Sequence, residues 1–475
     1  MHTRLLAIWD DLRSSYWFIP SLLTLGAIAL SFATTAIDGF VGPEWITQVR
    51  WLYENKPDGA RTLLSTIAGS MIGVAGVTFS ITIASVVYAS GQYGPRLLTN
   101  FMRDRGNQIT LGTFIATFLY CILVLRTIRA ADEGYGGANP AGDLVGPFVP
   151  HVAILTALVL ALASIAVLIF FIHHIPESIH VSNVIAGVGR DLREKVDTLF
   201  PERIGEGSST DEARRRDDVV TDLPADFYEA SETICADASG YVQGIDAETL
   251  LDLACEHDLV LRVRRRPGDF VAEGDALVLA WPGRDVDDGL HAHVRGAFAW
   301  GHQRTALQDV RFLVDELVEI AARALSPGIN DPFTAMTCVD WLGGALKDLT
   351  DRDFPGAERF GPDGRLRIVA QPTSFEEFVG HVFGQLRPYV AADRNAALHT
   401  LKTIAEVAGR TCTDDQRDVL RHEADAILQG SQTLLQLDAD RASVARRHQI
   451  VARLLSGRLS YEETASMTDW IGGTA

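Results

Sequence analysis

Four stretches of the chain stay apolar for long enough to cross a bilayer, whose hydrocarbon core needs about 20 residues of helix. They run Trp17–Ile37, Thr62–Ala89, Ile109–Ile128 and Val152–Ile172. The first and fourth are uncharged, and no Asp, Glu, Lys or Arg occurs between Arg61 and Arg96 across the second. Arg126 marks the far end of the third. The first stretch is too long for the apolar core of a secretory signal and further spans follow it, so it reads as a membrane helix. Beyond Pro176 the pattern becomes that of an aqueous protein. Val184–Phe200 is amphipathic at helical period, and Pro201–Pro224 mixes Gly, Ser and Arg214-Arg215-Arg216 as a linker does. Tyr228–Trp281 shows short alternating runs broken by Ser239-Gly240, Gly244, Pro267-Gly268-Asp269 and Glu273-Gly274-Asp275, the punctuation of strands and turns. From His302 onward the period is helical, with Phe312, Leu313, Leu317, Ile320, Ala321 and Ala324 at three- and four-residue spacing. Further helices are predicted over Met336–Leu349, Phe375–Val390, Arg394–Ala408, Gln416–Leu437 and Ser443–Leu455.

Charge sharpens this division. The 475 residues include 42 basic and 61 acidic side chains, a net charge of −19. Residues 1–175 hold ten of each, so all of the imbalance lies after them. An acidic aqueous half lacks the Lys and Arg surplus that displaces counterions, which argues against nucleic acid as a partner. Cys121, Cys235, Cys255, Cys338 and Cys412 are odd in number and widely spaced, with no C-x-x-C, a pattern suited to a reducing compartment. Positive charge near the span ends then sets orientation. Arg4, Arg13, Arg96, Arg103, Arg105, Arg190, Arg193 and Lys195 fall on one side, against Arg50, Lys56, Arg61, Arg126 and Arg129 on the other. That bias puts both termini in the cytoplasm, and the Gly-, Pro- and Asp-rich loop Ala130–Phe148 outside.

The second span is unlike the others. Ser65, Gly69, Gly73, Gly76, Ser80 and Ala84 fall on one stripe, within about 100° of arc at 3.6 residues per turn. Gly69 and Gly73 form a G-x-x-x-G pair, which admits close approach of backbones, and Thr66, Ser70, Thr78, Thr82 and Ser85 add hydroxyls. Two readings fit: close helix packing within the subunit, or a pore-lining or subunit-contact face. The interior of the spans contains no Asp or Glu, the groups that carry coupling in proton- or cation-driven transporters. A passive path lined by hydroxyls and backbone carbonyls remains open to it.

Within the β-rich stretch, Gly240–Asp246 and Arg266–Leu277 resemble barrel-sandwich hybrid domains, the lipoyl- and biotinyl-like fold. The only lysines of the chain are Lys56, Lys195, Lys347 and Lys402, so the module has no attachment site for either cofactor, and a structural or docking role is expected. Arg262, Arg264, Arg265 and Arg266 precede its main turn; they fit a solvated hairpin or a contact to anionic lipid head groups. His173, Glu177 and His180, with His174 beside them, have helical spacing for a metal or a pH response, although Pro176 is expected to interrupt that helix. His291 and His293 lack a partner at metal spacing. Glu377 with His381, and Asp309, Asp315, Glu316 and Glu319, read as solvated helix faces.

The stretch Leu325-Ser326-Pro327-Gly328-Ile329-Asn330-Asp331-Pro332 stops one helix and starts another. Asp331 suits an N-cap with Pro332 as first residue, and the Asn330-Asp331 pair could alternatively place an amide and a carboxylate in a pocket. With Gln92-Tyr93-Gly94-Pro95-Arg96 after the second span, it resembles the bacterial membrane-protein family 2254 of the domain-of-unknown-function catalogue. The resemblance covers nearly the whole chain. It implies a location and an architecture, with Gln92, Tyr93, Pro95, Arg96, Ser326, Pro327, Asn330, Asp331 and Pro332 as its motif residues, and it implies no catalytic residues.

The expected fold class is therefore a membrane α-helical part of four transmembrane helices plus a cytosolic α+β region. Its expected divisions are a transmembrane domain at 1–180, a juxtamembrane helix and flexible linker at 181–226, a small barrel-sandwich-like β module at 227–285, and an all-α helical bundle at 286–475. No P-loop, nucleophile elbow, zincin or dinucleotide motif occurs, so no enzyme, cofactor or metal is expected. The expected function is a homo-oligomeric passive channel of the inner (plasma) membrane, conducting an unknown ion or small solute, with the second span lining it and a cytosolic regulatory region. The alternative is a non-conducting, membrane-anchored sensor or scaffold whose cytosolic part binds a ligand or partner.

Overall fold

The computed structural model describes residues 15–41, 57–94, 104–129, 148–200, 223–352, 354–410 and 413–467. Two compact units follow one another along the chain, one ending at His180 and the other starting at Val181. Most of the expected linker Pro201–Pro224, residues 201–222, and most of the external loop, 130–147, lie outside the described residues.

The first unit contains helices α1 (Phe18–Val41), α2 (Pro57–Tyr93), α3 (Arg105–Leu125) and α4 (His151–Ile179), each long and apolar enough to cross a membrane. At 1.5 Å per residue, α2 is about 55 Å long, well beyond the roughly 30 Å of bilayer hydrocarbon. The third helix packs against all three others and supplies Phe114, Tyr120, Cys121 and Val124 to their common core. Leu64, Ala68 and Met71 of α2 and Ala153, Ile154 and Ala157 of α4 complete it.

Polar ties between the helices are few and specific. The Tyr120 hydroxyl donates to the Ala153 carbonyl at 3.0 Å and lies 2.9 Å from the Thr34 hydroxyl. Thr117 and Ser164 join α3 to α4 at 3.1 Å. In the last turn of α1, the Asp38 carboxylate accepts the Val152 and Ala153 N–H groups at 2.8 and 2.9 Å. Pro176 does not interrupt α4, contrary to expectation: the helix runs through it to Ile179. Neighbouring side chains and local adjustment can absorb a freed carbonyl in a membrane helix.

The second unit opens with amphipathic helix α5 (Val181–Leu199) and the short α6 (Phe227–Ala230). Strands β1 (Glu232–Cys235), β2 (Gly240–Ile245), β3 (Val260–Val263), β4 (Phe270–Val271) and β5 (Ala276–Trp281) follow, with α7 (Ala247–Glu256) inserted after β2. The structure then departs from the all-helical expectation for 286–475. After α8 (Asp288–Gly296) comes β6 (Phe298–Gly301), and β7 (Glu358–Phe360) and β8 (Leu366–Ala370) lie further on.

These later strands complete the earlier sheets. One sheet has the order β1-β5-β3-β8-β7, in which β3 and β8 pair parallel with Leu261 opposite Ile368. The other, β4-β2-β6, is antiparallel. Both share one core around Ile234, Val242, Leu261, Val278, Phe298 and Ile368. Strand β8 escapes a hydropathy reading because its second residue, Arg367, is only 5% exposed, held at 2.7 Å by both Asp258 and Asp363.

The helical remainder comprises α9 (Val310–Ala324), α10 (Pro332–Thr350), α11 (Phe375–Val379), α12 (Gln385–Val390), α13 (Arg394–Ala408), α14 (Asp414–Leu434), α15 (Asp438–Leu455) and α16 (Tyr461–Ala465). A π-helical turn, Gly380–Gly384, joins α11 to α12 and ends four residues before Pro388. Helix α10 packs on α5, α9 and α13, and α15 packs on α13 and α14.

Candidate functional site

The face of α2 that packs within the protomer is a narrow seam. Leu64, Ala68, Met71, Ala75, Thr78, Thr82, Val86 and Ala89 are buried at three- and four-residue spacing, against α3 and α4. The small-residue stripe lies beside it. Ser65, Gly69, Gly73, Gly76, Ser80 and Ala84 are all exposed. A Cβ built at Gly69, Gly73 or Gly76 would meet nothing within 4 Å. Among the described residues, the protomer therefore gives these three glycines no packing partner. Several hydroxyls on this helix bond to their own backbone: Thr66 donates to the Thr62 carbonyl at 2.7 Å, Ser80 to Gly76 at 2.9 Å and Thr82 to Thr78 at 2.9 Å. The exposed stripe is thus small and uncharged.

The two motif segments cap helices. Gly94 closes the end of α2 by donating to the Ser90 carbonyl at 3.2 Å. Gln92 is half-buried in its last turn beside Tyr93, and Pro95 and Arg96 lie outside the described residues. In the second segment, the Asp331 amide donates to the Ala324 carbonyl at 2.7 Å, and the Asn330 amide to Ser326 at 2.9 Å, satisfying the end of α9. The Asp331 carboxylate then accepts from the Thr334 amide at 3.2 Å and the Thr334 hydroxyl at 2.6 Å, capping α10 with Pro332 in its first turn. Asn330 adopts a left-handed conformation, φ +50°. It is exposed, as are Pro327 and Gly328, with Ser326 half-buried, so the Asn330-Asp331 pair forms an ordered surface turn.

The basic run splits by role. Arg262 lies over the Tyr228 ring, 5.3 Å from its centroid. Arg265 binds the Asp275 carboxylate and the Ala276 carbonyl at 3.0 and 3.2 Å. Arg266 grips Glu377 with both guanidinium arms at 2.9–3.1 Å. Arg264 alone of the four is exposed.

Around Arg266 the structure gathers residues that read in sequence as solvated faces. Asp309 and Asp315 are 3% and 7% exposed, and Arg304 bridges them at 2.7 and 2.5 Å. Arg311 reaches Asp309 at 3.3 Å and donates to the Pro267 carbonyl at 2.8 Å. His381, on the π-helical turn, faces Asp315 at 3.4 Å, and Gln385 donates to the same carboxylate at 3.3 Å. Burial would raise the Glu377 carboxyl, but the hydrogen bonds and charge of Arg266 hold it below the ordinary carboxylate range. Burial lowers the His381 imidazole; Asp315 opposes this, and Arg311 and Arg304 add to it. One signal lies in the chain order: Asp315 and Glu316 stand inside the apolar run Leu313, Val314, Leu317 and Val318, and the helix buries all six.

The histidines leaving the membrane do not converge. His173 pairs with Glu177 at 3.4 Å on an exposed face, whereas His174 turns to Asp104 of the α3 cap at 2.7 Å. His291 stands 4.0 Å from Glu232. Among the described residues no group of His, Cys, Asp and Glu could hold a metal.

Comparison with known proteins agrees with this architecture. Residues 13–406 match the family described as predicted membrane protein (DUF2254), and the chain belongs to that family. It is 30% identical over 467 residues to the uncharacterized protein Rv1290c of Mycobacterium tuberculosis, covering 95% of this chain and 84% of that one. The uncharacterized protein Mb1321c of Mycobacterium bovis is similar to the same extent. No solved structure matches.

Proposed function

We propose that this membrane protein is a homo-oligomer of the inner membrane whose copies meet around the small-residue face of α2 and enclose a passive path for an ion or small solute. Both termini would be cytoplasmic, with Val181–Ala475 as the regulatory part and its lysine-poor β sheets serving a structural or docking role. The observation that carries this is the exposed stripe Ser65, Gly69, Gly73, Gly76, Ser80 and Ala84. Small residues on a membrane helix allow a second backbone to approach closely, and left bare they forgo dispersion contacts. Hydroxyls and carbonyls on such a face can replace part of a solute's hydration. The uncharged run between Arg61 and Arg96 supports a passive path over an ion-coupled one.

The test is light scattering of the detergent-purified protein followed by ion flux in liposomes. A closed oligomer that conducts is expected, with Gly73→Leu abolishing flux or dissociating the assembly. Undiminished flux from a folded Gly73→Leu protein removes the pore-lining role. A flux-silent monomer overturns the proposal and leaves the four helices as an anchor for a sensor or scaffold.

A further inference from the structure

The helices of the second unit pack side by side, and the contacts between them fix which ends lie together. Arg193 pairs with Asp348 and Arg352 with Asp197, each 155 residues apart, and Arg352 also donates to the Phe200 carbonyl, 152 apart. A near-constant separation makes α5 and α10 parallel and in register. The Trp341 ring lies on Gly189 in the same register, so Val181 stands level with Phe333. Helix α13 is parallel to α10 by the same reasoning: His399 meets Asp340 and Glu406 meets Lys347, each 59 residues apart. Arg394 of α13 pairs with Asp440 at the start of α15. Helix α14 returns antiparallel, with Asp425 on His448 and Arg421 on the Leu455 carbonyl. One end of the bundle therefore gathers the start of α5, the turn from α9 to α10 and the turn from α14 to α15.

Large apolar side chains stay exposed at that end. Phe333 is 72% exposed, Leu437 64%, Leu434 49% and Ile329 40%. At the opposite end Leu349, Leu454 and Leu455 are buried, and Arg410, Asp414, Asp415 and Arg458 face water. Apolar side chains gathered at one exposed end mark a surface that something covers. The same end is where the chain arrives from the bilayer, because only His180 separates α5 from Ile179, the last residue of α4. We propose that the turns bearing Ile329 and Phe333, and Leu434 and Leu437, seat in the head-group layer of the membrane that α4 has just crossed. None of these residues belongs to a span, so the contact is additional to that of the membrane helices.

Three observations select lipid over a second copy of the chain. The first is continuity, since a single residue joins this end to a helix that crosses the bilayer. The second is charge. The Asp331 and Asp393 carboxylates cap α10 and α13, Asp440 pairs with Arg394 and Asp438 with Arg441, so the carboxylates at this end already have partners. The third is area: at these exposures the four side chains offer about half of the 800 Å² per partner that a stable protein interface buries. Shallow entry of a few apolar side chains into the head-group boundary needs far less.

The test is photo-cross-linking of the full chain in phosphatidylcholine liposomes, with p-benzoylphenylalanine in place of Phe333 or, in a second protein, of Leu437. Adducts are identified by mass spectrometry. Lipid adducts are expected at both positions, about tenfold above those from the same replacement of Asp415 at the far end of the bundle, the preference that burying an apolar side chain confers. Because the lipid is zwitterionic and the contact apolar, 0.5 M salt should leave the yield unchanged, a concentration of about the order that screens surface charge. The Leu437 protein keeps the proposal testable if the Phe333 protein does not fold. Lipid adducts no higher than those at Asp415 overturn the proposal. So do cross-links to a second copy in place of lipid.

Discussion

Gly268 sits directly on the carboxylate of Asp309: a Cβ on Gly268 would lie 2.0 Å from Asp309 Oδ2, and the glycine has φ +92°. The Pro267-Gly268-Asp269 turn is therefore seated on a buried charge, and both the conformation and the clearance require glycine there. Gly268→Ala should cost about 2 kcal/mol through strain and overpacking. The thermal midpoint of the purified full chain should then fall by roughly 4–8 °C, with Gly364→Ala as a comparison in which only the backbone conformation is penalised, since no atom stands near that position.

Arg304 holds Asp309 and Asp315 together from the solvent side, its own side chain only 20% exposed. Arg304→Met keeps much of the side-chain volume and leaves two buried carboxylates without their bridge. A loss of about 3–5 kcal/mol is expected, because the penalty is the stranded charge rather than the lost contact. Chemical denaturation followed by tryptophan fluorescence measures it. A midpoint equal to wild type would show that Arg311 and Gln385 suffice.

Acid should weaken the second unit in two steps. His381 has a folded-state affinity for protons below that of the unfolded chain, so its contribution is present above about pH 6.5 and is lost as pH falls. Glu377 is likewise depressed, and its contribution disappears only below about pH 4. Glu377 is partly solvated, so its share should stay within about 1 kcal/mol. Melting temperatures from pH 8 to pH 3 should flatten in the upper window for His381→Gln and in the lower window for Glu377→Gln.

Asp38 fastens the end of α1 to the start of α4 by accepting two amides there. Asp38→Ala leaves those donors to find water and should cost about 1–2 kcal/mol. Asp38→Asn retains one acceptor oxygen and should cost less. Thermal unfolding in detergent ranks the three proteins, and identical midpoints for Ala and wild type would refute the tie.

The four membrane helices were legible because hydrocarbon imposes one requirement that any reader of the chain can apply: an uninterrupted apolar run whose backbone satisfies itself. The Asp331 cap was legible for a similarly local reason, since its partner Thr334 is three residues away. Strand β8 was not, because it buries Arg367, whose neutralising partners Asp258 and Asp363 come together only in the fold. The buried cluster was misread for the same cause. Glu377 and Arg266 are 111 residues apart, and neither residue carries a sign of the other.

What the sequence by itself determined is where the chain enters hydrocarbon and where it leaves, since hydropathy and charge are properties of residues in order. It also marked the stripe Ser65 to Ala84 as unusual. Only the tertiary structure decided that the neighbouring seam from Leu64 to Ala89, and not the stripe, packs on α3 and α4. A helix apolar all round has no polar face to point outward, so its rotation is set by the shape of its neighbours. Likewise, only the fold could bury Asp309 and Asp315, because a carboxylate leaves water when a cation arrives with it, and Arg304 arrives through space.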